Sequence, residues 1–115
     1  MKVVAIWKPE RNGQAAPPSP EQMAEMGAFV EEAMKAGVLL DTAGVMGDGL
    51  SLKIRRAGST TTVLDGPFAE AKEVVGGYAI MNVRSKEELI AWSRRFVEIA
   101  GDGESEIHEL FEPPS

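Results

Sequence analysis

Apolar and polar positions follow one another along the chain in patterns that lay out its elements. Residues 2–7 are rich in Val, Ile and Trp and predict a buried strand. Residues 8–18 hold Pro9, Asn12, Gly13, Pro17 and Pro18 and predict a loop long enough to be functional. Ser19-Pro20-Glu21-Gln22 reads as a helix start, with Ser19 as cap, Pro20 at the first helical position and Gln22 completing a capping box. Met23, Met26, Val30, Ala33 and Met34 then recur at helical spacing, a stripe that serves as core or as an adaptable ligand wall, and Gly37 ends the helix. Residues 38–46 predict a second strand. Leu50, Leu52 and Ile54 alternate with polar residues, so residues 50–56 form a third strand with one wet face. Ala57-Gly58-Ser59 is a hairpin loop, and Thr60 to Leu64 returns as the fourth strand. Asp65-Gly66-Pro67 stops it, and residues 68–74 read as one helical turn. Gly76-Gly77 opens a fifth strand, Tyr78 to Val83. Ser85-Lys86-Glu87-Glu88 is a second capping box, followed at helical spacing by Leu89, Trp92, Phe96 and Ile99, with Gly101 closing the helix. Residues 105–111 alternate as a last strand, and Pro113-Pro114 ends the fold.

Setting aside the 50–64 hairpin leaves βαββαβ, an α+β ferredoxin-like arrangement in one domain spanning 1–115. Two helices cover one face of an antiparallel sheet. The other face then needs cover, with Trp7, Ile80 and Leu110 as the candidates to lie on it. A homodimer packed sheet to sheet is the simplest cover for a chain of 115 residues.

The charge balance narrows the function classes. Twelve Lys and Arg against 18 Asp and Glu give a net charge of -6. Only Arg55-Arg56 and Arg94-Arg95 are basic pairs, so direct nucleic-acid binding is not expected. No apolar run approaches the roughly 18–20 residues of a membrane span. The apolar start gives way to Lys8-Pro9-Glu10 too soon for a signal peptide, and a cytoplasmic location is expected. The chain has no cysteine, which excludes disulfides, thiolate metal sites and a Cys nucleophile. It carries no phosphate loop, dinucleotide fingerprint or metal-ligand spacing, and Asp48 in Gly47-Asp48-Gly49 is too sparse for a calcium loop. No cofactor or metal is expected.

Several side chains remain as candidates for chemistry. Asp65, at a strand end, is a general base if its site is dry, or else a cap for the turn that follows. Glu70 and Glu73 share a helical face and suit acid–base work or solvated surface; Lys72 beside them suits an anionic ligand or a surface ion pair. Gly76-Gly77 permits a close approach, with a neighbouring strand as the ordinary partner. Tyr78 and Trp7 each put a polar tip on an apolar body, fitting a pocket wall or a dimer core. His108 lies on the strand face opposite Ile107. It is the only histidine, and so the only group whose ordinary pKa is near neutrality.

The stretch Asp65-Gly66-Pro67-Phe68-Ala69-Glu70-Ala71-Lys72-Glu73-Val74-Val75-Gly76-Gly77-Tyr78 closely resembles the signature of the DGPF branch of the YciI-like (YCII-related) family. Ser19-Pro20-Glu21-Gln22-Met23, Ala36-Gly37-Val38-Leu39-Leu40 and the segment from Ile107 to Glu112 extend the likeness over nearly the whole chain. The resemblance implies a dimeric α+β barrel of ferredoxin-like subunits. It also implies relatives that isomerise or dehalogenate muconolactone-type lactones, and members encoded beside extracytoplasmic-function sigma factors. Enzyme-like members carry a His early in the first helix, paired with an Asp. Here that region reads Glu21-Gln22-Met23-Ala24-Glu25-Met26, so the pair does not carry over.

Two readings of function follow. In the first, the chain binds a small metabolite, an anionic one among the options, and acts as a cofactor-independent isomerase or lyase. Asp65 and His108 are then the catalytic candidates, with Glu70, Lys72, Glu73, Tyr78 and Trp7 as ligand contacts. In the second, it is a non-catalytic binding or regulatory module working with a sigma-factor system through protein–protein contacts.

Overall fold

The computed structural model describes residues 1–10, 18–46, 49–66, 68 and 75–113. Its elements run β1 (Lys2–Pro9), α1 (Pro20–Lys35), β2 (Leu39–Gly44), β3 (Leu52–Ala57), β4 (Thr60–Asp65), β5 (Gly77–Asn82), α2 (Lys86–Ala100) and β6 (Gly103–Glu109). The first strand runs longer than the alternation predicts, the second is shorter, and the last has the expected length but lies two residues earlier. The turn expected over 68–74 falls, apart from Phe68, outside the described residues.

Both helices start where the sequence places them, but neither capping box closes. The Ser19 hydroxyl accepts from the Gln22 N–H at 3.1 Å, while the Gln22 amide donates across the helix pair to the Ile99 carbonyl at 2.9 Å. The Ser85 hydroxyl accepts from the Glu88 N–H at 3.1 Å. The Glu88 carboxylate instead takes the Arg84 N–H at 3.3 Å and its guanidinium Nε at 3.1 Å. Each glutamine or glutamate at the third position thus finds a partner other than its own cap. Gly37, at φ 75°, takes the left-handed conformation that lets the chain leave α1.

Strands β2-β5-β1-β6 form one antiparallel sheet in that order, and β3-β4 form a separate ribbon. The four-stranded order is ferredoxin-like, with β1 in the interior between β5 and β6. Alternation along β1 separates two faces. Val3 and Ala5 turn towards the helices, joining Ala33, Val38, Leu39, Met81 and Val83 in the buried core. Val4, Ile6 and Lys8 turn to the other face, opposite Ile80, Tyr78, Glu106 and His108. Ile80 therefore lies on the open face as expected, and Leu110, whose N–H donates to the Lys2 carbonyl, continues the His108 side. Trp7 does not lie there. It shares the parity of Val3 and Ala5, and its ring meets Phe96 of α2 edge-on at 5.2 Å. With apolar residues on both sides of β1, the sequence left the sign of this choice open.

The helical stripe is corrected at two of its five positions. Ala33 is buried, Val30 packs against the core and Met26 lines the space between helices and sheet, while Met23 and Met34 are 62% and 47% exposed; Phe29, outside the stripe, is the other buried residue of α1. A bulge lies between Leu39 and Asp41, where β2 spends an extra residue against β5.

The β3–β4 ribbon stands apart. Its residues are all exposed, and among the described residues it packs on no other element. Gly58, at φ 61°, occupies the first position of the two-residue loop, where a type II′ turn places glycine. The radius of gyration is 16.4 Å, against about 13 Å for a compact chain of this length. No helix among the described residues is long and apolar enough to cross a membrane.

Arg95 links the helices. Its guanidinium forms a two-pronged pair with the Glu32 carboxylate, one prong at 2.9 Å, and lies over the Phe29 and Trp92 rings at 5.1 and 5.0 Å. The Arg95 hydrogen bonds hold Glu32 below its ordinary pKa of 4.5. A depressed carboxylate stabilises the fold above the unfolded-state pKa and loses that contribution as pH falls through the folded value. Melting of the wild type below pH 4.5 is therefore expected to fall faster than that of Arg95→Gln, the two curves converging as Glu32 protonates.

Candidate functional site

Between the sheet and the two helices lies a cavity of about 330 Å³. Small side chains on the sheet create it. Ala5 and Ala79 form the floor beside Thr42 and Met81, while Phe29, Trp92 and Phe96 come down from the helices. The lining is apolar, relieved by the Thr42, Ser93 and Ser105 hydroxyls and the Trp7 indole. No Asp, Glu, Lys, Arg or His lines it among the described residues. The Thr42 hydroxyl already donates to the Tyr78 carbonyl at 2.8 Å, which leaves its lone pairs for a guest.

Trp7 is seated by two glycines. A Cβ on Gly103 would lie 2.6 Å from the indole Cη2 and 2.7 Å from the Lys8 carbonyl. A Cβ on Gly76 would lie 2.7 Å from Pro9 Cδ and 3.0 Å from the indole Cδ1. The close approach expected of Gly76-Gly77 is thus real at both positions, with Gly77 lying against the Ala43 carbonyl of β2.

The sequence candidates separate in space. Trp7 lines the cleft. Tyr78 borders it, but alternation turns its ring to the open sheet face, where the hydroxyl donates to Asp41 Oδ2 at 2.9 Å. That hydrogen bond, reinforced by the carboxylate charge, pushes the Tyr78 phenol above its ordinary pKa of 10.0. His108 is exposed on the same face, with Nε2 2.9 Å from Glu106 Oε2; Lys8 Nζ donates to Glu106 Oε1 at 3.2 Å. The His108 and Lys8 hydrogen bonds lower the Glu106 pKa below 4.5. Asp65 is exposed at the end of β4, paired with Leu52, on a different sheet from His108. Phe68 lies under the Lys53 ammonium, 4.3 Å from ring centroid to Nζ. Glu70, Lys72 and Glu73 lie outside the described residues. No group of three or more His, Cys, Asp or Glu among the described residues is placed to hold a metal ion.

What the sequence reading missed is the cleft itself. Phe29, Phe96, Ser93 and Ser105 come from three elements and carry no motif. The one available signal was Trp92 and Phe96 one turn apart on α2, with Phe29 on α1, opposite alanines and glycines on the strands.

Two comparisons bear on this arrangement. The family model described as the YCII-related domain matches residues 1–112. An uncharacterised protein of Rhizobium meliloti (strain 1021) is 26% identical over 92 residues, covering 80% of this chain and 68% of that protein.

The seat of Trp7 makes Gly103→Ala costly. The added methyl is expected to lower stability by about 1–3 kcal/mol, as overpacking does, with a shift in tryptophan emission as the indole moves. Denaturant unfolding followed by fluorescence checks both. Because Tyr78 is the one tyrosine, Asp41→Asn is expected to bring the phenolate transition back down towards pH 10.0, read as ultraviolet absorbance against pH.

Proposed function

We propose, for a chain that belongs to the YCII-related family, that the sheet–helix cleft binds a small, predominantly apolar molecule carrying one or two hydrogen-bonding groups. The observation that carries this reading is the lining. Four aromatic rings and a floor of alanines enclose a volume at the lower end of the roughly 300–1,000 Å³ of small-molecule sites. Apolar contact supplies the affinity, and the few hydroxyls orient the guest. A cationic wall for an anionic metabolite is absent among the described residues. The ligand class therefore narrows from an anionic metabolite to a neutral one, such as a lactone-sized ring.

Asp65 and His108 stay as proposals for proton transfer, each outside the cleft wall. The cleft by itself supports binding. We further propose a homodimer in which a second copy covers the open sheet face, whose Val4, Ile6 and Ile80 are apolar residues with no element among the described residues layered above them.

Both tryptophans of the chain, Trp7 and Trp92, line the cleft, so its occupancy reads out in intrinsic fluorescence. Titration with neutral lactones and small aromatic compounds is expected to change emission saturably. A guest at 100 times its dissociation constant should add roughly 2.7 kcal/mol of stability, visible as a raised melting temperature. Ala79→Leu, which fills the floor, is expected to abolish both responses in a folded protein. Responses that persist unchanged in Ala79→Leu would remove the cleft as the binding site.

A further inference from the structure

Among the described residues the β3–β4 arm packs on no other element, and its Lys53 lies over the Phe68 ring. A two-stranded ribbon is marginal in water on its own. This one also exposes apolar side chains: Leu52, Ile54 and Val63 share one face at 41%, 67% and 59% exposure. Its charge is opposite to that of the rest of the chain. Lys53, Arg55 and Arg56 against Asp65 give the arm +2, and with -6 for the whole chain the remainder carries -8.

Much of that negative charge gathers on one edge. Strand β6 is an outer strand of the sheet, bonded on one side to β1 and open on the other. Asp102, Glu104, Glu106 and Glu109 lie on it or at its start. Glu106 is engaged by Lys8 and His108. The Glu104 and Glu109 carboxylates make no hydrogen bond or ion pair with any described residue. Six residues of extended chain span roughly 20 Å, enough to run along most of β6.

We propose that the cationic β3–β4 arm of one copy docks along the acidic β6 edge of a second copy, Lys53, Arg55 and Arg56 meeting Glu104 and Glu109. The exchange is reciprocal, each copy giving one arm and receiving one, as a two-fold interface requires. The apolar face of the arm supplies area, and the charges fix which edge it chooses. This rests on the homodimer reading above and adds to it a specific contact.

The test is the molar mass of the full chain in solution, by light scattering or sedimentation at low salt, with circular dichroism to confirm folding. The wild type should show twice its 12.4 kDa chain mass. Arg55→Glu with Arg56→Glu should halve that mass, and so should Glu104→Arg with Glu109→Arg. The chain carrying all four substitutions has the wild-type net charge of -6 and restores the opposite pairing, so it should recover the dimer. Loss in both pairs without recovery in the fourfold variant overturns the arm–edge pairing. A dimer that survives each charge swap but dissociates in folded Ile80→Asp overturns the arm and leaves a sheet-face dimer standing. A wild-type monomer overturns the arm and the homodimer together, including one whose arm gains protection from proteolysis only when an anionic polymer is added.

Discussion

Every element of the sheet takes its place from the antiparallel pairing of β1 with β5 on one side and β6 on the other. That double pairing puts the first strand of the chain in the interior. It also makes the alternation of one strand decide both faces: Val3, Ala5 and Trp7 inward, Val4, Ile6 and Lys8 outward. A slip of one residue would exchange the two sets. The core, the cleft and the open face are therefore three readings of a single register.

Within that register, side-chain size does the shaping. Protein interiors are normally packed without voids larger than a water molecule. Here alanines on the sheet face aromatic rings on the helices, and a cavity remains where larger sheet residues would have closed it. Arg95 lies over Phe29 and Trp92 and is tied to Glu32, so the helices are joined to each other as well as to the sheet. A rigid roof over a floor of small residues suits a guest that enters a preformed space.

The elements were legible because their signals are local. Ser19 and Ser85 accept from the third N–H as their positions suggest, and Gly58 sits where a hairpin loop needs positive φ. The ferredoxin-like order followed from counting elements. Trp7 was not legible, because a strand apolar on both sides gives no sign for its inner face. Phe29 was obscured by the stripe of Met23, Met26, Val30, Ala33 and Met34, two of whose methionines are exposed. The cleft was invisible for a different reason: its walls come from both helices and four strands, and alanine, glycine and phenylalanine announce no chemistry until topology gathers them. Asp65 stood out in sequence by its company with Gly66 and Pro67, yet the fold sets it on the projecting ribbon.

The bulge on β2 has an effect out of proportion to its size. Leu40 is the extra residue, and it reverses the parity of everything after it on that strand. With it, Thr42 faces the cleft and Asp41 faces the tyrosine on the opposite side. Were Leu40 instead paired in unbroken alternation, the two would trade places, and a carboxylate would stand among the aromatic rings. Deleting Leu40 would leave Asp41 opposite Ile80 and Thr42 opposite Ala79, so the bulge absorbs one residue of strand length without carrying a charge into the neutral chamber.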